Sequence, residues 1–117
     1  MKHQDIKILD NNIVKAINSS GYKFIIMTPN LESGSGTKKI AFRIKESLSN
    51  WVAVGMCHPK IVASKNYGFS FNSIGHGAYM VSANGGSWSH TKAEHNNSVK
   101  AFKFVKGDII QVIADMT

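Results

Sequence analysis

Residues Trp51 to His58, reading Trp-Val-Ala-Val-Gly-Met-Cys-His, constrain the fold more than any other stretch of the chain. Both alternating sets are apolar: Trp51, Ala53 and Cys57 on one side, Val52, Val54 and Met56 on the other. A strand that buries both faces belongs at the centre of a sheet covered by a second layer. Gly55 in its middle points to a bulge, or to a place where another backbone or a bulky ring comes close. The stretch reads as the central strand of an all-β sandwich with Trp51 filling the core, and it holds no evident catalytic group.

The remaining segments support the same class. Asp5–Leu9 and Ile13–Ile17 are extended candidates around the turn-forming Asp10-Asn11-Asn12. Tyr22–Thr28 is aromatic and β-branched and ends at Pro29-Asn30, and the Ser-Gly-Ser-Gly-Thr run that follows is a loop. Ile40, Phe42 and Ile44 alternate with Ala41, Arg43 and Lys45, which places the first set inward. Tyr67, Phe69 and Phe71 would share one face of a strand. Ala78–Ala83 is a further strand, closed by an Asn84-Gly85-Gly86 turn that leads to Trp88 and then to a polar loop from Ser89 to Ser98. Val99–Val105 and Ile109–Met116, joined at Lys106-Gly107-Asp108, read as a last hairpin, with Ile110, Val112, Ala114 and Met116 on one face. No segment carries helical periodicity over three turns, so helix is expected for a turn or two at most. Trp51, Val54, Phe42, Phe104, Ile110 and Val112 are the expected core.

The chain of 117 residues is read as a single domain, large enough to enclose a hydrophobic core. No apolar run is long enough to span a bilayer, and Met1-Lys2-His3-Gln4-Asp5 lacks the layout of a secretory signal. The single cysteine, Cys57, excludes an internal disulfide framework and fits a reducing, intracellular setting, expected to be cytoplasmic. The formal charge is +7, yet Arg43 is the one arginine among 14 basic residues, and the lysines are scattered. Base and phosphate readers favour arginine's planar fork, so a scattered lysine surface points to solubility and weak general affinity for anions rather than to specific nucleic-acid recognition.

Taken in order, Trp51-Val-Ala-Val-Gly55, Tyr67-Gly-Phe-Ser-Phe71, Gly77-Ala-Tyr-Met80 and Phe104-Val-Lys-Gly-Asp-Ile-Ile110 with Asp115 resemble the SPRY domain family over about residues 35–116. The Gly-Asp strand is the most specific part of the likeness. Gln111 stands where the family often has Gly, and the family's next hairpin has no counterpart before Thr117. The resemblance implies a concanavalin-like jelly roll, C-terminally incomplete. It also implies a protein-interaction module without enzymatic activity, which binds a peptide or protein partner through loops at one edge, often inside a larger assembly. A structural subunit or decoration of a large complex, and a basic binder of nucleic acid or anionic surfaces, are the alternatives.

Several constellations have plain structural explanations. Cys57 and His58 are neighbours on a strand, point to opposite faces, and cannot exchange a proton directly. His58, His76, His90 and His95 match no zinc spacing, so neither a metal nor another cofactor is expected. Gly34-Ser-Gly-Thr-Lys38 has the wrong order for a phosphate loop. Asp108 is expected to cap the turn at Gly107. The recognition candidates are Asn66 and Tyr67 together with Asn84, Gly85, Trp88 and His90, because rigid aromatic rings beside adaptable polar residues suit binding loops. Trp88 and Tyr67 would serve equally well as core fillers. Finally, the strand at 109–116 is apolar on both faces, with Ile109 and Ile113 opposite the main set. It therefore calls for cover and for a hydrogen-bonding neighbour on each edge, supplied from outside these residues by strand addition.

Overall fold

In a computed structural model the described residues are 1–10, 13–17, 21–27, 29–46, 51–69 and 74–117. They form an all-β antiparallel protein with eight strands: β1 (Ile6–Asp10), β2 (Ile13–Ala16), β3 (Thr37–Arg43), β4 (Ala53–Cys57), β5 (Ala78–Ser82), β6 (Asn84–Ser89), β7 (Ser98–Lys103) and β8 (Ile109–Asp115). A short helix, α1 (Pro59–Ser64), and a 3-10 turn at Ala93–His95 complete the regular structure. Proline at the first position of α1 suits a helix start, where its missing N–H leaves no bond unmade.

The strands form a four-stranded sheet in the order β4-β5-β6-β7 and two two-stranded ladders, β3-β8 and β1-β2. Register assigns the faces of the larger sheet. Val54 pairs with Val81 and Met56 with Tyr79, so these side chains share one face. That face packs on β3-β8 through a core of Ile44, Val54, Phe104 and Ile110, with Phe42, Val81 and Val112 packed against it. On the opposite face Met80 pairs with Trp88, and an aromatic cluster covers Trp88: its ring lies 5.4 Å from Phe69 and 6.1 Å from Trp51. Tyr22 extends the cluster, 4.3 Å from Trp51.

Residue alternation reads correctly in β3 and β8. Ile40, Phe42 and Ile44 point inward against exposed Ala41, Arg43 and Lys45, and Ile110 and Ala114 are buried against exposed Ile109 and Ile113. Asp108 caps its turn as expected, its Oδ2 accepting the Val105 N–H at 2.8 Å. Helix is confined to the six residues of α1 and the 3-10 turn among the described residues.

Five expectations need correction. Among the described residues the strand expected at the centre, β4, is an edge strand paired with β5 alone, and Trp51 precedes it, half-buried within the aromatic cluster. Phe42 and Val112 are likewise half-buried rather than enclosed. β7 and β8 are not a hairpin: β7 pairs with β6 and β8 with β3, because Phe104 dives into the core between them and the turn at Gly107 carries the chain from one layer to the other. Among the described residues no strand runs through Tyr67; Asn66 and Tyr67 adopt φ of 51° and 57° in the turn after α1, while Phe71 lies outside the described residues. Tyr22–Thr28 is held by isolated bridges, Lys23 to Gly68 and Lys2 to Ile25, instead of forming a regular strand, and Thr28 lies outside the described residues.

Gly55 fulfils its expected role through backbone approach. A Cβ there would lie 2.8 Å from Met80 Cα and closer still to the Tyr79 carbonyl oxygen, so β4 and β5 pair this tightly only because the position has no side chain.

Candidate functional site

The six residues selected from the sequence do not converge. Asn66 is exposed and Tyr67 half-buried in the turn after α1, where the Tyr67 N–H donates to the Val62 carbonyl at 3.0 Å and its own carbonyl accepts from Phe24 at 2.8 Å. Asn84 and Gly85 sit at the opposite end of β5, since Ala78 pairs with Cys57 at one end and Ser82 with Ala53 at the other. Gly85 is buried, so it presents no surface. His90 returns to the α1 end, its Nδ1 accepting the Gly77 N–H at 2.9 Å and its ring 5.1 Å from His58 and 6.2 Å from Tyr79.

Trp88 is a core residue. It is 5% exposed, and its Nε1–H donates to Ser82 Oγ at 3.0 Å. The Ser82 hydroxyl donates in turn to Asn84 Oδ1 at 2.6 Å, and that oxygen also accepts the Gly86 N–H at 3.2 Å. Exposed Asn84 and buried Trp88 are thereby linked through Ser82 across the β5–β6 connection. The burial follows from β6 beginning at Asn84, which puts Trp88 in register with Met80 on the face covered by Phe69 and Trp51.

Histidines knit the α1 end together. His76 is 1% exposed; its Nδ1 accepts the Ala78 N–H at 3.2 Å, so the proton is on Nε2, which donates to Asn96 Oδ1 at 2.8 Å. Asn96 also receives the Ser89 N–H at 3.1 Å and donates to the Ser89 carbonyl at 2.9 Å. His95 Nδ1 meets Ser87 Oγ at 3.0 Å. Each ring has a structural task in holding the 90–97 loop on the sheet. Among the described residues no group of three His, Cys, Asp or Glu side chains is placed to hold a metal ion.

Cys57 is half-buried, and burial pushes its thiol pKa up, so less thiolate is present at neutral pH than for a free cysteine. Alkylation by iodoacetamide at pH 7.5 is expected to run about tenfold slower than in the urea-unfolded chain and to accelerate as pH rises. Equal rates folded and unfolded would mean that Cys57 is not shielded in β4.

The feature the sequence search missed is a groove of about 520 Å³ between the four-stranded sheet and β8. Met56, Tyr79 and Val81 of the four-stranded sheet line it together with Phe102 of β7 and Ile110 and Val112 of β8. Lys92 and His95 lie at its polar side, no Asp or Glu lines it, and no β3 residue contributes. The groove therefore opens on the free side of β8. Within the β3–β8 register, Met116 donates to Gly36 and Asp108 accepts from Ile44, so even-numbered β8 residues direct their backbone groups at β3. The backbone groups of Ile109, Gln111, Ile113 and Asp115 face the other way, with no backbone partner among the described residues. The side chains of Ile109 and Ile113 are 57% and 54% exposed.

No protein-family model, curated protein or solved structure matches the chain in comparisons with known proteins.

Proposed function

We propose that this chain is a non-enzymatic protein–protein interaction module, SPRY-like in type, that docks a peptide or protein partner as part of a larger intracellular assembly. The observation that carries the reading is the apolar β8 edge, without a second strand partner among the described residues, beside a groove that exposed Phe102 of β7 helps to line. Isolated exposed apolar residues are ordinary, but contiguous ones beside an open strand edge mark interaction surfaces. The β1-β2 hairpin adds a second such area with Ile8, Leu9 and Val14 exposed. The SPRY-like assignment rests on the motif order, and the partner surface shifts from the Asn66, Tyr67, Asn84 and His90 loops to the β7–β8 side. The alternative, a binder of nucleic acid or anionic surfaces, draws on the +7 charge alone.

Photo-crosslinking tests the reading. A photoreactive residue at Phe102 or Ile109 should capture a defined protein in cells, whereas one at exposed Lys60 on α1 should not. The adduct should persist at high salt, since apolar contacts are insensitive to screening while phosphate contacts weaken steeply. Adducts to nucleic acid, or equal labelling from Lys60, would overturn it.

A further inference from the structure

We infer, building on the interaction-module reading, that the partner segment is an extended peptide that joins β8 as the third strand of the β3-β8 sheet and inserts alternate side chains into the groove. The ladder itself dictates the shape of the occupant. Ile109, Gln111, Ile113 and Asp115 offer N–H and C=O groups at strand spacing along the free edge, and only another extended backbone satisfies such a row in order. A strand laid there has one face over Met56, Tyr79 and Val81, where the volume of about 520 Å³ receives side chains from every second position. Its other face joins Ile109 and Ile113 on the outer surface.

The surroundings choose between occupants. Pairing β8 with β8 of a second copy would bring that copy's four-stranded sheet beneath the added strand. The groove there is lined by the first copy's own Met56, Tyr79 and Phe102, which a second layer would have to displace. A single strand without its own second layer fits where a whole domain does not. Charge narrows the choice further: Lys92 and His95 lie at the groove's polar side with no carboxylate lining it, which favours a segment whose apolar alternation includes an acidic residue. Asp115, whose carboxyl is held below the usual range by the Thr117 hydroxyl and N–H, is the one anion on the edge itself, at the far end of the strand.

The test is selection of random linear dodecapeptides displayed on phage against the intact chain, followed by binding and amide exchange with the recovered peptides. Peptides with apolar residues at alternate positions and an acidic residue are expected. On binding, exchange should slow at Ile109, Gln111, Ile113 and Asp115. Ile113→Pro removes an outward N–H while the bonds to β3, made by residues 112 and 114, remain, and it should weaken binding roughly tenfold. Phe102→Glu, at a side chain 55% exposed, should weaken it to a similar extent without loss of folding. If the peptides bind with the β8 amides unprotected and both substitutions silent, strand addition is overturned while the interaction-module reading stands. If no peptide is recovered, or a dimer protects β8 without peptide, the inference is likewise overturned. The crosslinking from Phe102 and Ile109 then decides separately whether the chain binds proteins at all.

Discussion

Trp88→Ala should destabilise the chain by about 3–5 kcal/mol, the range for removing a large aromatic from a packed core. The indole is 5% exposed and touches Phe69 and Trp51 on the covered face of the four-stranded sheet. Its Nε1–H also closes the network through Ser82, which is fully buried, to Asn84. Truncation therefore opens a cavity and removes a donor from a buried hydroxyl. For a small domain, whose whole stability is about 5–15 kcal/mol, this populates the unfolded chain appreciably. Trp88→Phe separates the two contributions: most of the ring volume stays, the hydrogen bond goes, and a loss of about 1 kcal/mol is expected. Urea midpoints at unchanged slope measure both. A Trp88→Ala chain within about 1 kcal/mol of the parent, but impaired in partner binding, would show that the indole works at the surface after all.

Gly55→Ala should cost about 3 kcal/mol, toward the upper end for overpacking, although it adds a single methyl group. The new Cβ would meet backbone, not side chain: Met80 Cα at 2.8 Å, and the Tyr79 carbonyl oxygen nearer still. A side chain can rotate away; a paired strand cannot without breaking its ladder. Relief requires β4 to move off β5, which also disturbs the tight Val54–Val81 packing on the core face. Gly107→Ala provides the contrast. Nothing lies within 4 Å of its Cβ position and only the positive φ of 93° opposes a side chain, so about 1–2 kcal/mol is expected. Urea melts rank the two, and amide exchange should speed up along β4 and β5 for Gly55→Ala alone. Equal losses for the two variants would mean that the β4–β5 approach is not the source of the effect.

The legibility of the candidate site was uneven for a physical reason. Exposed Asn66 and buried Trp88 both belong to residue types that recognition loops use, and sequence carries no measure of depth. Tryptophan and tyrosine serve cores and interfaces through the same large apolar area. The groove was invisible because its lining comes from β4, β5, β6, β7, β8 and the loop after β6, segments spread over residues 54–112. Only the open edge of β8, unpaired among the described residues, could be anticipated, from a strand apolar on both faces.

By itself, the sequence determined the class of structure and, in β3 and β8, which side chains face inward. Period-two alternation set Ile40, Phe42 and Ile44 inward, aligned Ile110, Val112 and Ala114, and left Gly55 where two backbones meet. Only the tertiary structure decided which strands are neighbours. It put β4 at an edge, sent β8 to β3 instead of β7, and enclosed Trp88. Alternation is a local property that names the buried face of a strand, whereas pairing is settled by long-range competition among many strands with the same pattern, and by where a residue such as Phe104 can reach the core.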